Sequence, residues 1–136
     1  MTALVLALAA HLHRSAPARA ALVAPLVLAA ADAAGVPPRA LAKLAAHESG
    51  SRWWIVGAHG DLGLTQLHRP LPARYAGLTR AELLDPATNL RIGAEMLADA
   101  LARCHGRLRG ALSRYNRGHS CRPSGYADRV LAETLP

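Results

Sequence analysis

Apolar residues in this chain recur at three- and four-residue intervals, in runs cut by glycine and proline, and this periodicity points to packed helices. Leu41, Leu44 and Ala45 share one helical face. So do Leu90, Leu97, Leu101 and Cys104, then Leu108, Ala111, Leu112 and Tyr115, and finally Ala127, Val130 and Leu131. Punctuation agrees with the runs. An Ala-rich run over residues 21–34, mildly broken at Pro25, stops at Gly35, a natural helix C-cap residue. Pro37-Pro38 opens the next helix, since proline's missing N–H is no loss in a first turn, and Gly50 closes it after Ser49. Thr79-Arg80-Ala81-Glu82 has the form of a capping box for a short helix ended by Asp85-Pro86. A longer helix follows from Pro86, another stops near Asn116 to Gly118, and a last one is expected over 126–135. Residues 51–77 hold several Gly and Pro and read as a long irregular loop with one helical turn at 62–67. Loops of that length in compact domains are usually functional. The chain is crowded with Ala and Leu and lacks Phe, and its 136 residues suit one all-α domain.

The first 20 residues carry two readings. A short apolar run from Leu4 to Ala10, followed by Ala18-Arg19-Ala20, has the outline of a secretory signal, but the start lacks a positive charge and Arg14 and Arg19 intrude. The other reading is an extra N-terminal amphipathic helix ahead of a domain over 21–136. No apolar stretch is expected to reach the ~20 residues of a membrane span. Sixteen Lys and Arg against nine Asp and Glu give a net charge of +7, an attraction for polyanions such as nucleic acid, anionic lipid or acidic envelope polymers. The arginines are scattered singly with little aromatic interleaving, so no dedicated nucleic-acid site is expected. Cys104 and Cys121 have three readings: a disulfide, two reduced thiols, or zinc ligands with His105 and His119, although that spacing fits no common zinc pattern.

The position after Leu41, Leu44 and Ala45 on their stripe is Glu48, a carboxylate aimed at an apolar face. Lost hydration disfavours its charged form and raises its pKa, giving an acid still protonated near neutral pH. That is what protonating a leaving oxygen requires. An ion pair with one of the arginines, or a turn toward water at the helix end, would account for the same residue without chemistry. His47-Glu48 does not open a zinc-protease motif, because position 51 is Ser rather than His.

Further along the chain, Glu48-Ser49 at a helix end is followed by Gly63-Leu64-Thr65-Gln66, by Asp85-Pro86 with Asn89 and Gly93, and by Tyr115-Asn116 and Tyr126. In this order and spacing the sequence resembles the SLT-type lytic transglycosylases, relatives of goose-type lysozyme, over about residues 21–135. The resemblance implies a lysozyme-like helical domain with a long active-site loop. It further implies cleavage of the β-1,4 bond between N-acetylmuramic acid and N-acetylglucosamine in peptidoglycan, in a periplasmic or secreted compartment. Glu48 would donate a proton to the glycosidic oxygen and then take one from the muramic acid C6 hydroxyl, leaving a 1,6-anhydro ring. No second carboxylate, cofactor or metal is called for, unlike ordinary glycoside hydrolysis.

By the same resemblance Ser49 supports the Glu48 region or contacts sugar. Gly63 and Leu64 form the floor of the cleft, and Gln66 hydrogen-bonds the glycan. Tyr115 holds the Glu48 carboxyl or the sugar, Asn116 bonds substrate or loop, and Tyr126 lines the cleft. Trp53-Trp54 offers a sugar-stacking face or a buried corner. Two departures stand out. Thr65 replaces the usual Met and is expected to weaken a sugar platform, and Arg114 stands where a small residue is common, crowding the cleft or adding an anion contact. A hydrolase that uses Asp61 to position water, and a wall-binding module without activity, are the alternatives. The domain is expected to act as a monomer on glycan strands, with a secretion, conjugation or phage apparatus as contexts left open.

Overall fold

A computed structural model describes residues 15–135. Among them the chain forms six helices and no strand: α1 (Ala16–Ala34), α2 (Pro38–Ser49), α3 (Arg80–Leu84), α4 (Pro86–Arg103), α5 (Leu108–Arg117) and α6 (Gly125–Ala132). The all-α expectation holds. α1 packs on α2 and α4, α4 also carries α3 and α5, and α6 closes the arrangement against α5 and α2. The stripes anticipated from the sequence meet in one core, where Val23, Val27 and Ala31 of α1 join Leu41 and Leu44 of α2, Leu90 and Leu97 of α4, Leu112 of α5 and Val130 of α6.

The boundaries follow local chemistry. The Thr79 side chain accepts from Glu82 N and the Glu82 carboxylate accepts from Thr79 N, so the capping box forms as expected. Asp85 caps α4, accepting from Thr88 N at 3.0 Å, with Pro86 in the first turn. α6 ends at Ala132, short of the expected position 135. α1 begins earlier than the Ala-rich run suggested, because Ser15 caps it by accepting from Ala18 N at 3.3 Å and Pro17 suits the first turn. The signal-like segment therefore divides: residues 1–14 lie outside the described residues, and 16–20 are the start of α1. Arg19, within that start, is buried and donates from Nε to Gly50 O at the end of α2, at 3.1 Å.

Ala16–Ala34 also corrects the expectation about membrane-spanning length. At 19 residues and a mean hydropathy of 1.4 it is long and apolar enough to cross a bilayer by length and composition, with Arg19 and Asp32 near its two ends. In this fold Val23, Val27, Ala30 and Ala31 of the helix belong to the core, and 22% of the stretch is buried.

The long loop is more organised than its composition suggested. Residues 62–67 form no helical turn. Leu62 N donates to Leu67 O at 3.1 Å and Leu67 N to Leu62 O at 2.9 Å, a β-bridge, and a second bridge joins Val56 to Leu62. The helical turn lies later, a 3-10 turn over Ala73–Tyr75. Leu62, Leu67 and Tyr75 pack with Leu83 of α3 and Ile92 of α4 in a small second core, which fixes the loop on the helices below it.

Cys104, at the end of α4, is bonded to Cys121 in the segment between α5 and α6. The disulfide takes both sulfurs from the zinc reading and resolves the three alternatives. It closes a loop across a sequence separation of 17 residues, which in the loop-entropy account stabilises by about 3 kcal/mol. A Cys104→Ser/Cys121→Ser variant should lose about that much in urea unfolding monitored by far-UV circular dichroism. A loss below about 1 kcal/mol would show that the helices hold this edge without the crosslink.

Candidate active site

Glu48 occupies the last turn of α2, half-buried rather than in bulk solvent. Burial pushes its carboxyl above the usual value of 4.5. A hydrogen bond from Tyr126 and the proximity of His47 pull the other way, and the charge of Asp61 adds to the rise. The Tyr126 hydroxyl donates to Glu48 Oε1. Burial, first, and the Glu48 charge, second, hold that phenol well above the ordinary tyrosine range, so it stays a donor. Tyr126 is itself braced. Its ring meets His47 edge-on at 5.3 Å between centroids, and His47 Nδ1 lies 3.1 Å from Glu133 Oε1 just past α6. Lys43 Nζ donates to Leu131 O at 2.6 Å, a further tie between α2 and α6. The carboxyl is thus held by the packing of two helices far apart in sequence.

The 63–66 turn belongs to the same neighbourhood through Tyr115, which bonds Thr65 O and senses the Glu48 charge. Gly63 has φ +71° and a side chain there would stand 2.5 Å from Asn89 Nδ2, so both conformation and space require glycine. Asn89, fully buried on α4, is the anchor. Its Nδ2 donates to Leu62 O and Leu83 O, both at 2.8 Å, while its Oδ1 accepts from Thr65 N at 2.9 Å and Thr65 Oγ1 at 2.8 Å. Every polar atom of one buried amide is engaged, joining the turn, α3 and α4. Gly93, one turn along α4, leaves room for Thr65: a Cβ there would fall 2.6 Å from the threonine methyl.

The individual expectations fare differently. Ser49 is buried and its hydroxyl donates to Ala45 O at 2.9 Å, one turn back along α2. Gly63 and Leu64 are buried within the turn, Leu64 as part of the main core. Gln66 is half-buried and its Nε2 donates back to Gly63 O at 3.0 Å. Tyr115 does not hold Glu48. Its hydroxyl donates to Thr65 O at 2.9 Å, because α5 points it at the turn while α6 brings Tyr126 to the carboxyl. Burial raises the Tyr115 pKa, with Glu48 and Asp61 close enough to add to the effect. Asn116 is exposed at the end of α5.

Thr65 is fully buried, so its replacement of the usual Met removes no exposed sugar platform; the polar hydroxyl serves Asn89 instead. Trp53 packs against the core, Trp54 is partly exposed, and their rings meet edge-on at 4.9 Å. Asp61 is held by His68, with Nδ1 and Oδ1 2.6 Å apart. Sequence reasoning gave Asn89 no site role and did not find His47, His68 or Glu133. The motif position of Asn89 was a signal for it, whereas partners 86 and seven residues apart leave no local pattern.

A carboxyl whose charged form burial disfavours, with a hydroxyl donating to one of its oxygens, is of a kind suited to giving up and taking back a proton. A model of the family described as transglycosylase SLT domain matches residues 25–127, the span that carries all of these groups except Leu131 and Glu133. A search of curated proteins finds no match to the chain.

Proposed function

The chain belongs to the transglycosylase SLT family, and from that footing we propose that it is a peptidoglycan lytic transglycosylase with Glu48 as its single acid and base. One observation carries the reading: a half-buried carboxyl whose charged form is disfavoured, gripped on one oxygen by the Tyr126 hydroxyl. Protonated Glu48 gives its proton to the oxygen linking N-acetylmuramic acid to N-acetylglucosamine, and the C1–O bond breaks. The Glu48 carboxylate then takes the proton of the C6 hydroxyl as O6 bonds to C1. The acid is regenerated, no water is consumed, and the product carries a 1,6-anhydro ring. Tyr126 steadies the anionic stage by donating to the carboxylate, and the raised pKa favours its return to the neutral form. The Cys104–Cys121 disulfide suits an oxidising, extracytoplasmic compartment, where this substrate lies.

Asp61 supports a second reading. It lies near enough to Glu48 to raise its pKa and is oriented by His68, as a carboxylate positioning water in a hydrolase would be. Mass spectrometry of digested sacculi separates the two. Lytic cleavage yields anhydro ends, and Asp61→Asn changes the rate little. Reducing ends, each one water heavier, with Asp61→Asn as damaging as Glu48→Gln, would establish the hydrolase instead.

A further inference from the structure

Arg114, the departure that the catalytic reading leaves unused, lines a cavity of about 300 Å³ with Arg74, Arg103, Asp99, Met96 and Tyr115. Two helices and the loop build it: Met96, Asp99 and Arg103 come from α4, Arg114 and Tyr115 from α5, and Arg74 from the 3-10 turn. Arg74 is committed. Its Nη2 donates to Asp99 Oδ2 at 2.6 Å and its guanidinium stacks 4.8 Å above the Tyr75 ring, which uses the carboxylate of the groove. Among the described residues neither Arg103 nor Arg114 has a carboxylate partner, so two positive charges in one concavity stay uncompensated. The thioether of Met96 and the ring of Tyr115 supply apolar surface between them.

The groove adjoins the active site through Tyr115, which lines it and also donates its hydroxyl to Thr65 O on the 63–66 turn. A ligand suited to it combines carboxylates with small apolar groups and hangs from the same polymer that the site cuts. Guanidinium groups pair with carboxylates through two parallel hydrogen bonds, which gives direction as well as charge. The peptide stems on muramic acid carry free carboxylates and alanine methyls. Four extended residues reach about 14 Å, enough to leave the glycan and enter a neighbouring groove.

We propose that Arg103 and Arg114 bind the carboxylates of a peptide stem on the glycan strand, making this chain selective for peptide-bearing over bare strands. The inference rests on the lytic transglycosylase reading for its polymer, but its test is arranged to fail separately. Labelled soluble strands, with stems intact or removed by an amidase, are titrated in fluorescence anisotropy against Glu48→Gln protein, which binds without turnover, and against the same protein carrying Arg103→Ala and Arg114→Ala. The double change should weaken binding of peptide-bearing strands about tenfold, the scale of one or two charge-assisted contacts, and leave bare strands within about twofold. Equal weakening on both strands, or no change on either, would overturn the proposal. So would selectivity that survives the arginine changes. If unmodified protein cuts neither strand while the stem-dependent binding is present, the catalytic reading fails and the groove stands.

Discussion

Glu48→Gln should lower the rate of glycan cleavage by about a thousandfold or more, since removing a positioned general acid typically costs 10²–10⁴ and here the same group also serves as base. The amide retains the shape of the carboxyl and an oxygen for the Tyr126 hydroxyl, so circular dichroism and binding of glycan strands should be preserved. The substitution also carries a pH signature that a purely structural glutamate would lack. In the folded protein the Glu48 pKa is raised, chiefly by burial, so the native state holds this proton more tightly than the unfolded chain does. Relative stability is then fully present below about 4.5 and declines as pH rises through the folded value. The substituted amide cannot ionise, so the variant should match wild type in acid and become the more stable of the two at neutral pH and above. Thermal melts of both proteins across this range read the gap. A variant that matches wild type in acid but is the less stable of the two at neutral pH would assign Glu48 a structural ion pair and remove the basis for its acid role.

Asn89→Ala should be the most damaging single change outside the reacting groups. Truncation leaves the Leu62 and Leu83 carbonyls, the Thr65 N–H and its hydroxyl without the amide that binds them all. Leaving buried groups unpaired costs about 1–3 kcal/mol each, moderated by water entering the gap. A total near 3 kcal/mol follows, a fall of about 10 °C in melting temperature for a domain of this size. Activity should fall further than stability explains, because the 63–66 turn, which Tyr115 ties to the surroundings of Glu48, loses its hold on α4. Asn89→Asp tests the donors specifically: a carboxylate still accepts from Thr65 but sets oxygen against the two carbonyls, so it should be no milder than alanine. Destabilisation by either variant of less than about 1 kcal/mol in urea unfolding would show that the loop is held by its apolar contacts alone.

Where physics is local, the sequence was readable. The Thr79–Glu82 capping box, the proline starts of α2 and α4 and the stripes through Leu41, Leu90 and Leu112 all express a 3.6-residue period and backbone preferences within a few positions. Glu48 was visible for the same reason, as a charge at an apolar position on such a stripe. Partners distant in sequence were not. Whether Tyr115 or Tyr126 meets Glu48 depends on how α6 docks against α2, and Tyr126, expected only to line the cleft, bonds the carboxyl while Tyr115 bonds Thr65 O. Thr65 read as a lost sugar contact because the sequence does not say which way the turn faces. It faces inward, where Gly93 makes room and Asn89 binds it. The 62–67 segment looked helical by composition, and its pairing with itself as a β-bridge is set by the second core beneath it.

Behind the Glu48→Gln effect stands one proposition, that burial raises the Glu48 pKa while the carboxyl stays within reach of Tyr126. Carbon-13 NMR titration of the glutamate side-chain carboxyl resonances, with Glu48 assigned by its absence in Glu48→Gln, measures it directly. A Glu48 midpoint clearly above 4.5, rising further in Tyr126→Phe as the hydrogen bond that favours the anion is lost, is the expected result. A midpoint at or below 4.5 that does not move in Tyr126→Phe would contradict the account.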